Sequence, residues 1–297
     1  INGLFCEKIF GPIKNWKCKC GKYNGFILDK ICDECQVEII EARVRRYRMG
    51  YIDLTCPVTH LWYLKGVPNY LLILLKCINP DIKISHLEQI VYFKEGERII
   101  TSDNPLYYYF YPDKNNNELQ KFFVNTETST NDKNENINNS TYLRNSKLSK
   151  RRGAEIVKAA LESINIEEEI KDARSLVNNN SLTNLNLIKI PEKTLIRRIR
   201  ILESFISTKT NPSWMILTTL PVLPPNLRPL LELESGRLVA ADVNEIYRLI
   251  ITRNQRLFDF IYNYVAPDLI TVHSRKLLQE GVDSLIDNAR LPKDKTF

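Results

Sequence analysis

The sequence predicts an α+β chain, mostly helical, made of a small cysteine-rich lobe, a helical body and a projecting antiparallel coiled-coil hairpin. Three observations carry that prediction. Four cysteines fall within eighteen residues, at Cys18, Cys20, Cys32 and Cys35. Apolar residues recur at helical spacing from Glu155 to Ile164, from Glu167 to Val177 and from Lys193 to Ser207. Two matching apolar stripes then run through residues 242–288, separated by Ala266-Pro267-Asp268.

Composition bounds the reading. The chain has 297 residues, enough for one large or two ordinary domains, and 43% of them are hydrophobic, enough for a sizeable core. Lys and Arg number 42 against 35 Asp and Glu, and the resulting +7 favours a polyanionic partner without requiring one. The apolar run from Tyr70 to Leu75 is far too short to span a bilayer, so no membrane partner is expected. The chain opens on Ile1 with no signal-peptide pattern, and a fragment of a longer chain is among the readings. Seven cysteines is an odd number. Four clustered and three scattered thiols point to a reducing compartment and a metal site, not to a secreted disulfide scaffold.

The cluster reads Cys18-Lys-Cys20, eleven residues, then Cys32-Asp-Glu-Cys35. Paired cysteines on two short knuckles suit four thiolates around a tetrahedral Zn2+. Four protein ligands leave no open position, so one structural zinc per chain is expected. The competing readings are a disulfide pair or a redox Cys-x-x-Cys; the latter usually follows a strand in a βαβ unit, which is absent here. Lys14, Lys17, Lys19, Lys22 and Lys30 surround the cluster, and Arg43, Arg45, Arg46 and Arg48 follow it. They read as phosphate contacts or as a solvated basic face, and both readings stand at this point. Cys6, Cys56 and Cys77 read as buried inert thiols. His60, four residues after Cys56, reads as packed or hydrogen-bonded in preference to a second metal pair.

The chain divides by texture into 1–60, the cysteine lobe; 61–111, a Trp/Tyr/Leu-rich core segment; 112–150, an Asn-rich insertion or loop; 151–223, a helical body; 224–241, a loop; 242–288, the hairpin; and 289–297, the start of a following segment. The Asn-rich segment has too few apolar anchors to repay its ordering entropy. A second polar stretch is expected at Asn178-Asn179-Asn180-Ser181. In the last helix of the body, Arg197, Arg198 and Arg200 are expected outside. Four prolines between 221 and 229 predict a stiff extended loop edged by Arg228 and Arg237. Asp242 reads as an N-cap answered by Glu245, and Asp268 as the cap of the second hairpin helix. Two helices of about 20 residues would each run about 30 Å.

Several blocks together resemble the β′ (largest) subunit of bacterial-type, and in particular plastid, RNA polymerase. They are Gly3 to Pro12, the four cysteines, Arg45 to Ile52, Pro57 to Lys65, Trp214 to Leu217, Leu220 to Pro229, Asn244 to Arg248, Arg253-Asn254 and Leu278 to Asn288. They cover about half of the chain in the family's order. The wording around Arg45 and Cys56 is closest to plastid forms, and the Asn, Ile and Lys bias points to an AT-rich genome. The resemblance implies a clamp: a zinc lobe near upstream DNA and exiting RNA, a clamp core and body, a lid over about 224–237 separating RNA from template, and clamp helices that dock a sigma factor. It implies nucleic-acid contacts at Lys17, Lys19, Arg43, Arg45, Arg46, Arg48, Arg228 and Arg237, and sigma contacts at Asn244, Tyr247, Arg253, Gln279 and Glu280. The implied partners are the β subunit, the remaining β″ piece, α subunits, sigma, template DNA and nascent RNA. The implied location is a plastid, with a bacterial-type cytoplasm as the alternative.

The departures are an extra residue near Tyr262 to Val265 and an uncharged arm position at Phe258. The family's Asn-Ala-Asp-Phe-Asp-Gly-Asp motif does not occur before Phe297. Its clustered carboxylates hold the catalytic Mg2+, so the expectation is a chain that belongs to a nucleotidyltransferase, binds no Mg2+ of its own, has no catalytic residue and is not active alone. The alternative is a free-standing zinc-dependent nucleic-acid-binding protein.

Overall fold

Ile52, Leu54, Cys56 and Val58 alternate with Asp53, Thr55 and Pro57, a period of two that makes Gly50–Thr59 a strand with one apolar face. A computed structural model describes residues 2–26, 30–78, 82–93, 152–180, 192–232 and 236–290. In chain order these form α1 (Glu7–Phe10), a 3-10 turn (Ala42–Arg46), β1 (Gly50–Thr59), α2 (Leu61–Lys65), α3 (Tyr70–Ile78) and α4 (Ile84–Tyr92). There follow α5 (Ala154–Glu162), α6 (Ile166–Asn180), α7 (Glu192–Thr208) and a 3-10 turn (Pro212–Met215). Next are β2 (Ile216–Val222), a 3-10 turn (Pro225–Leu227), β3 (Leu230–Glu232), β4 (Leu238–Ala240), α8 (Asp242–Phe258), a π turn (Asp259–Asn263) and α9 (Asp268–Asp287). The Asn-rich segment 112–150 and residues 291–297 lie outside the described residues.

The chain folds as two compact units: residues 1–58 with 217–297, and residues 59–216. In the second unit Leu64, Leu71, Leu75, Ile156, Leu161 and Leu202 meet in one core. The three predicted helices of this region form as α5, α6 and α7. Asn178–Asn180 continue α6, where a polar break was expected; asparagine at a helix C-terminus carries only a small propensity penalty. Arg198, expected outside, is buried, and its Nη2 donates to the Lys76 carbonyl at 3.4 Å. The aliphatic stem packs while the head finds a helix-end acceptor. His60 is the hydrogen-bonded residue expected: its Nδ1 accepts the Trp62 N–H at 3.1 Å and caps α2. Of the three stray thiols only Cys56 is buried; Cys6 and Cys77 are half-buried. Burial pushes the Cys77 thiol up to about 12, against the Arg198 charge, which keeps it protonated and inert.

In the first unit β1 and β2 form a two-stranded sheet. Its apolar side meets α8 and α9 in a core of Cys56, Val58, Leu220, Ile250, Leu278 and Val282. The two helices run antiparallel: Arg253 donates to the Leu277 carbonyl at 2.6 Å, while Ile250 lies against Gly281 one turn further along. Asn254 splices α8 to β1, accepting the Thr55 N–H at 2.8 Å and donating to the Asp53 carbonyl at 2.9 Å. The expected caps do not form. No side chain caps α8 or α9, and Glu245 pairs with Arg248 at 3.0 Å. Asp242 and Asp268 instead lie in the first turns, where a carboxylate favours the helix dipole. Tyr264 and Ile270, although apolar, face solvent beside the turn.

The proline-rich stretch is more regular than a bare loop. Pro221 sits within β2, which a two-stranded sheet tolerates because the strand has a free edge. After the Pro225–Leu227 turn, β3 and β4 pair antiparallel with Leu230 opposite Ala240 and Glu232 opposite Leu238. Gly11, at φ +98, is held in the left-handed region, and a Cβ there would overlap Val44 Cγ2. Gly11→Ala is expected to destabilise the first unit by about 2 kcal/mol, read as a lowered denaturation midpoint.

Candidate metal centre and its surroundings

Two pinched loops bring the predicted thiols together. Lys17 bridges to Asn24 and Ile31 to Glu38, so each cysteine pair sits in its own turn. The Gly21 N–H donates to the Cys18 carbonyl at 3.2 Å, and the Gln36 N–H to the Cys32 carbonyl at 2.9 Å. The four Sγ atoms lie within 4.8 Å of one another. Cys18 and Cys20 are 3.4 Å apart, and Cys20 and Cys32 are 3.5 Å apart. Thiolates at about 2.3 Å from one tetrahedral ion would be roughly 3.8 Å apart, so the donor set fits a metal ion. All seven cysteines are free thiols in this structure. Among the described residues no other group of His, Cys, Asp or Glu gathers in this way.

Burial and electrostatics agree with a closed site. Cys18 and Cys32 are buried with Ile39, Cys35 is half-buried, and Cys20 is exposed. Burial opposes the Cys35 thiolate, but backbone hydrogen bonds from Cys20 and Val37 and the Cys32 thiol outweigh it and bring it down to about 6. A backbone bond from Lys22 favours the Cys20 thiolate, yet Cys18, burial, Cys32 and Cys35 together push that thiol up to about 12. The Cys35 thiolate forms readily, while the Cys20 thiol resists. A cation held by these four cysteines would remove that resistance, because each ligand would bind as the thiolate.

The predicted nucleic-acid contacts separate into two groups. Lys19, Arg43, Arg46 and Arg237 are exposed, and Lys17 and Arg48 are half-buried. Arg43 pairs with Glu41 at 2.5 Å and Arg48 with Glu38 at 2.6 Å. Arg45 and Arg228, by contrast, point inward. Arg45 donates to the Gly11 carbonyl at 2.7 Å and to the Phe5 carbonyl at 3.2 Å. Arg228 is 1% exposed. Its Nε donates to the Leu223 carbonyl and its Nη1 to Asn244 Oδ1, both at 2.9 Å, and Nη2 donates to the Leu4 carbonyl. Its guanidinium lies 4.9 Å from the Phe5 ring centre, 5.6 Å from Phe10 and 5.7 Å from Tyr247. Burial lowers its ordinary pKa, with Tyr247 opposing and the Arg45 charge adding to the shift.

The residues expected to contact sigma are mostly turned inward. Asn244, Tyr247 and Gln279 are buried. Asn244 returns a hydrogen bond to the Arg228 carbonyl at 3.0 Å, and Tyr247 accepts the Leu223 N–H at 3.2 Å. Gln279 donates to Asp283 at 2.9 Å inside the hairpin. Arg253 and Glu280 are half-buried. The turn of the hairpin is apolar and open to solvent: Phe258, Tyr262, Tyr264, Val265, Leu269 and Ile270 are all exposed, Val265 by 80% and Leu269 by 77%. Sequence reasoning missed this apolar cap and the arginine hub. The hub leaves no local signal in the sequence, because Arg228 closes on the Leu4 carbonyl at the far start of the chain.

Residues 1–296 match the family model for RNA polymerase Rpb1, domain 1. The chain belongs to this family. Among its relatives, the DNA-directed RNA polymerase subunit beta' of Cyanophora paradoxa is 40% identical over 292 residues, 98% of this chain and 42% of that subunit. The subunit gamma of Thermosynechococcus vestitus is 38% identical over 294 residues, again 98% of this chain and 42% of that protein. The subunit beta' of Gracilaria tenuistipitata var. liui is 40% identical over 296 residues, 98% of this chain and 43% of that protein. The chain thus spans less than half the length of these relatives. Within this Rpb1 domain 1 chain, the cysteine cluster, the arginine hub and the hairpin all lie inside the matched range.

Proposed function

We propose that this chain is the clamp-forming part of the β′ subunit of a multisubunit DNA-directed RNA polymerase, and that sigma factor docks on the turn of its helical hairpin. The observation that carries the docking surface is the exposed apolar cap from Phe258 to Ile270, held out by two helices whose bases share a core with β1 and β2. Contiguous exposed apolar residues of this kind mark interaction surfaces. Asn244, Tyr247 and Gln279 act in packing the hairpin, Arg253 ties its two helices, and Glu280 is half-buried beside them. The β3–β4 hairpin serves as the lid. Lys17, Lys19, Arg43, Arg46, Arg48 and Arg237 contact phosphates of DNA or nascent RNA, with affinity that falls as salt rises. Cys18, Cys20, Cys32 and Cys35 hold one structural Zn2+, which supplies folding energy to the lobe and no reaction chemistry. Catalytic Mg2+ and nucleotide addition belong to the remaining parts of the enzyme, with β, β″ and α subunits as partners. The compartment is a plastid, on the strength of the plastid-like wording around Arg45 and Cys56.

Val265→Asp combined with Leu269→Asp is expected to weaken sigma binding at least about tenfold, since apolar anchors at the centre of an interface dominate affinity. Binding is measured on the purified chain with a labelled sigma factor, and helicity by circular dichroism. Unchanged sigma affinity in a folded double variant would remove the turn from the docking surface.

A further inference from the structure

We infer that Tyr23, with Asp33 and the Lys22–Glu34 pair, forms a strap across the two cysteine loops that governs how fast the metal ion leaves. The inference rests on the zinc reading above. The four ligands are divided two and two: Cys18 and Cys20 on the first loop, Cys32 and Cys35 on the second. An ion held this way escapes when the loops part. Tyr23 belongs to the first loop and touches the site directly, its N–H donating to Cys18 Sγ at 3.3 Å. Its hydroxyl crosses to the second loop and donates to Asp33 Oδ2 at 3.1 Å. Beside it Lys22 reaches Glu34 Oε1 at 3.0 Å, a second tie between the same loops. The Lys30 ammonium lies 4.2 Å from the centre of the Tyr23 ring, so a residue leading into the second loop also holds the ring in place.

The placement of these residues is economical. The ties come from positions that follow the first ligand pair and lie between the second. Each tie is exposed, so each contributes little to overall stability on its own. They act together on one motion, however, because separating the loops breaks both at once. Their effect therefore falls on the rate of ion release more than on the fold. Tyr23 is a positioning residue: it contacts a ligand sulfur and the opposite loop.

The test uses the whole chain loaded with zinc and follows ion release to an excess of a chromogenic chelator. Tyr23→Phe and Asp33→Ala are each expected to speed release by about threefold to tenfold, the effect of one hydrogen bond. The double variant is expected to release zinc no faster than the faster single variant, because both remove the same tie. The charge-transfer spectrum of the cobalt-substituted chain should stay unchanged in Tyr23→Phe, since all four thiolates remain. Release rates equal to the unmodified chain, or fully additive effects, would overturn the strap while leaving the metal site intact. A wild-type chain that takes up neither zinc nor cobalt would overturn the site and the strap together.

Discussion

Cys32→Ser is expected to take the metal content from about one ion per chain to near zero and to unfold the region around residues 14–40. Cys32 is fully buried and forms the centre of the small cluster with Cys18 and Ile39. That cluster is too small to hold two loops by apolar burial alone. On the zinc reading, metal binding would supply most of the folding free energy of the lobe, on the order of 10 kcal/mol in such sites. Hydrogen exchange reads the outcome residue by residue. Protection should vanish in the loop bonds from Gly21 to Cys18 and from Gln36 to Cys32, and persist in the core built on Leu71, Leu75 and Leu161, which belongs to the other compact unit. Cys56→Ser is the control. Cys56 packs with Val58 and Leu220 away from the cluster, so that variant should keep its metal. Full protection of the lobe after metal is stripped by a chelator would refute the structural role.

What could be read in advance follows the range over which each signal acts. The four cysteines were legible because a knuckle is local: two ligands and a turn lie within a few residues. Helices α5 to α9 were legible because each repeats its apolar stripe over several turns. The caps were not. Glu245 had Arg248 within reach, and that pair at 3.0 Å displaced the reciprocal bond to the backbone. The inward arginines were not legible either. Arg228 meets Leu4, more than two hundred positions away, and nothing near residue 228 announces it. A charge count assigns both Arg45 and Arg228 to the surface, although a guanidinium can saturate itself on buried carbonyls. Family wording had the same blind spot. It implied sigma contacts at Asn244, Tyr247 and Gln279, three side chains that the fold buries.

Arg228→Met is expected to cost the first unit about 3 kcal/mol and to loosen the N-terminal segment from the hairpin. Methionine keeps much of the volume but removes every donor. The carbonyls of Leu4 and Leu223 and Asn244 Oδ1 then lose their partners in a buried site. Unsatisfied buried acceptors cost about 1–3 kcal/mol each. Removing a guanidinium buried among Phe5, Phe10 and Tyr247 relieves its own desolvation penalty, which offsets part of that loss. Arg228→Lys separates charge from geometry. A lysine keeps the positive charge over the three rings but cannot supply the planar fork that reaches Leu4, Leu223 and Asn244 together, so it should rescue only part of the stability. Because the chain has two compact units, a single melting temperature is a poor readout. Hydrogen exchange at Leu223, Arg228 and Asn244 isolates the affected region. If Arg228→Lys matches the unmodified chain at those amides, the charge over the rings is what matters and the hydrogen-bonded fork is dispensable. If both variants lose protection there while the core around Leu71 and Leu161 keeps its own, the arginine is the tie that joins the chain's start to its hairpin.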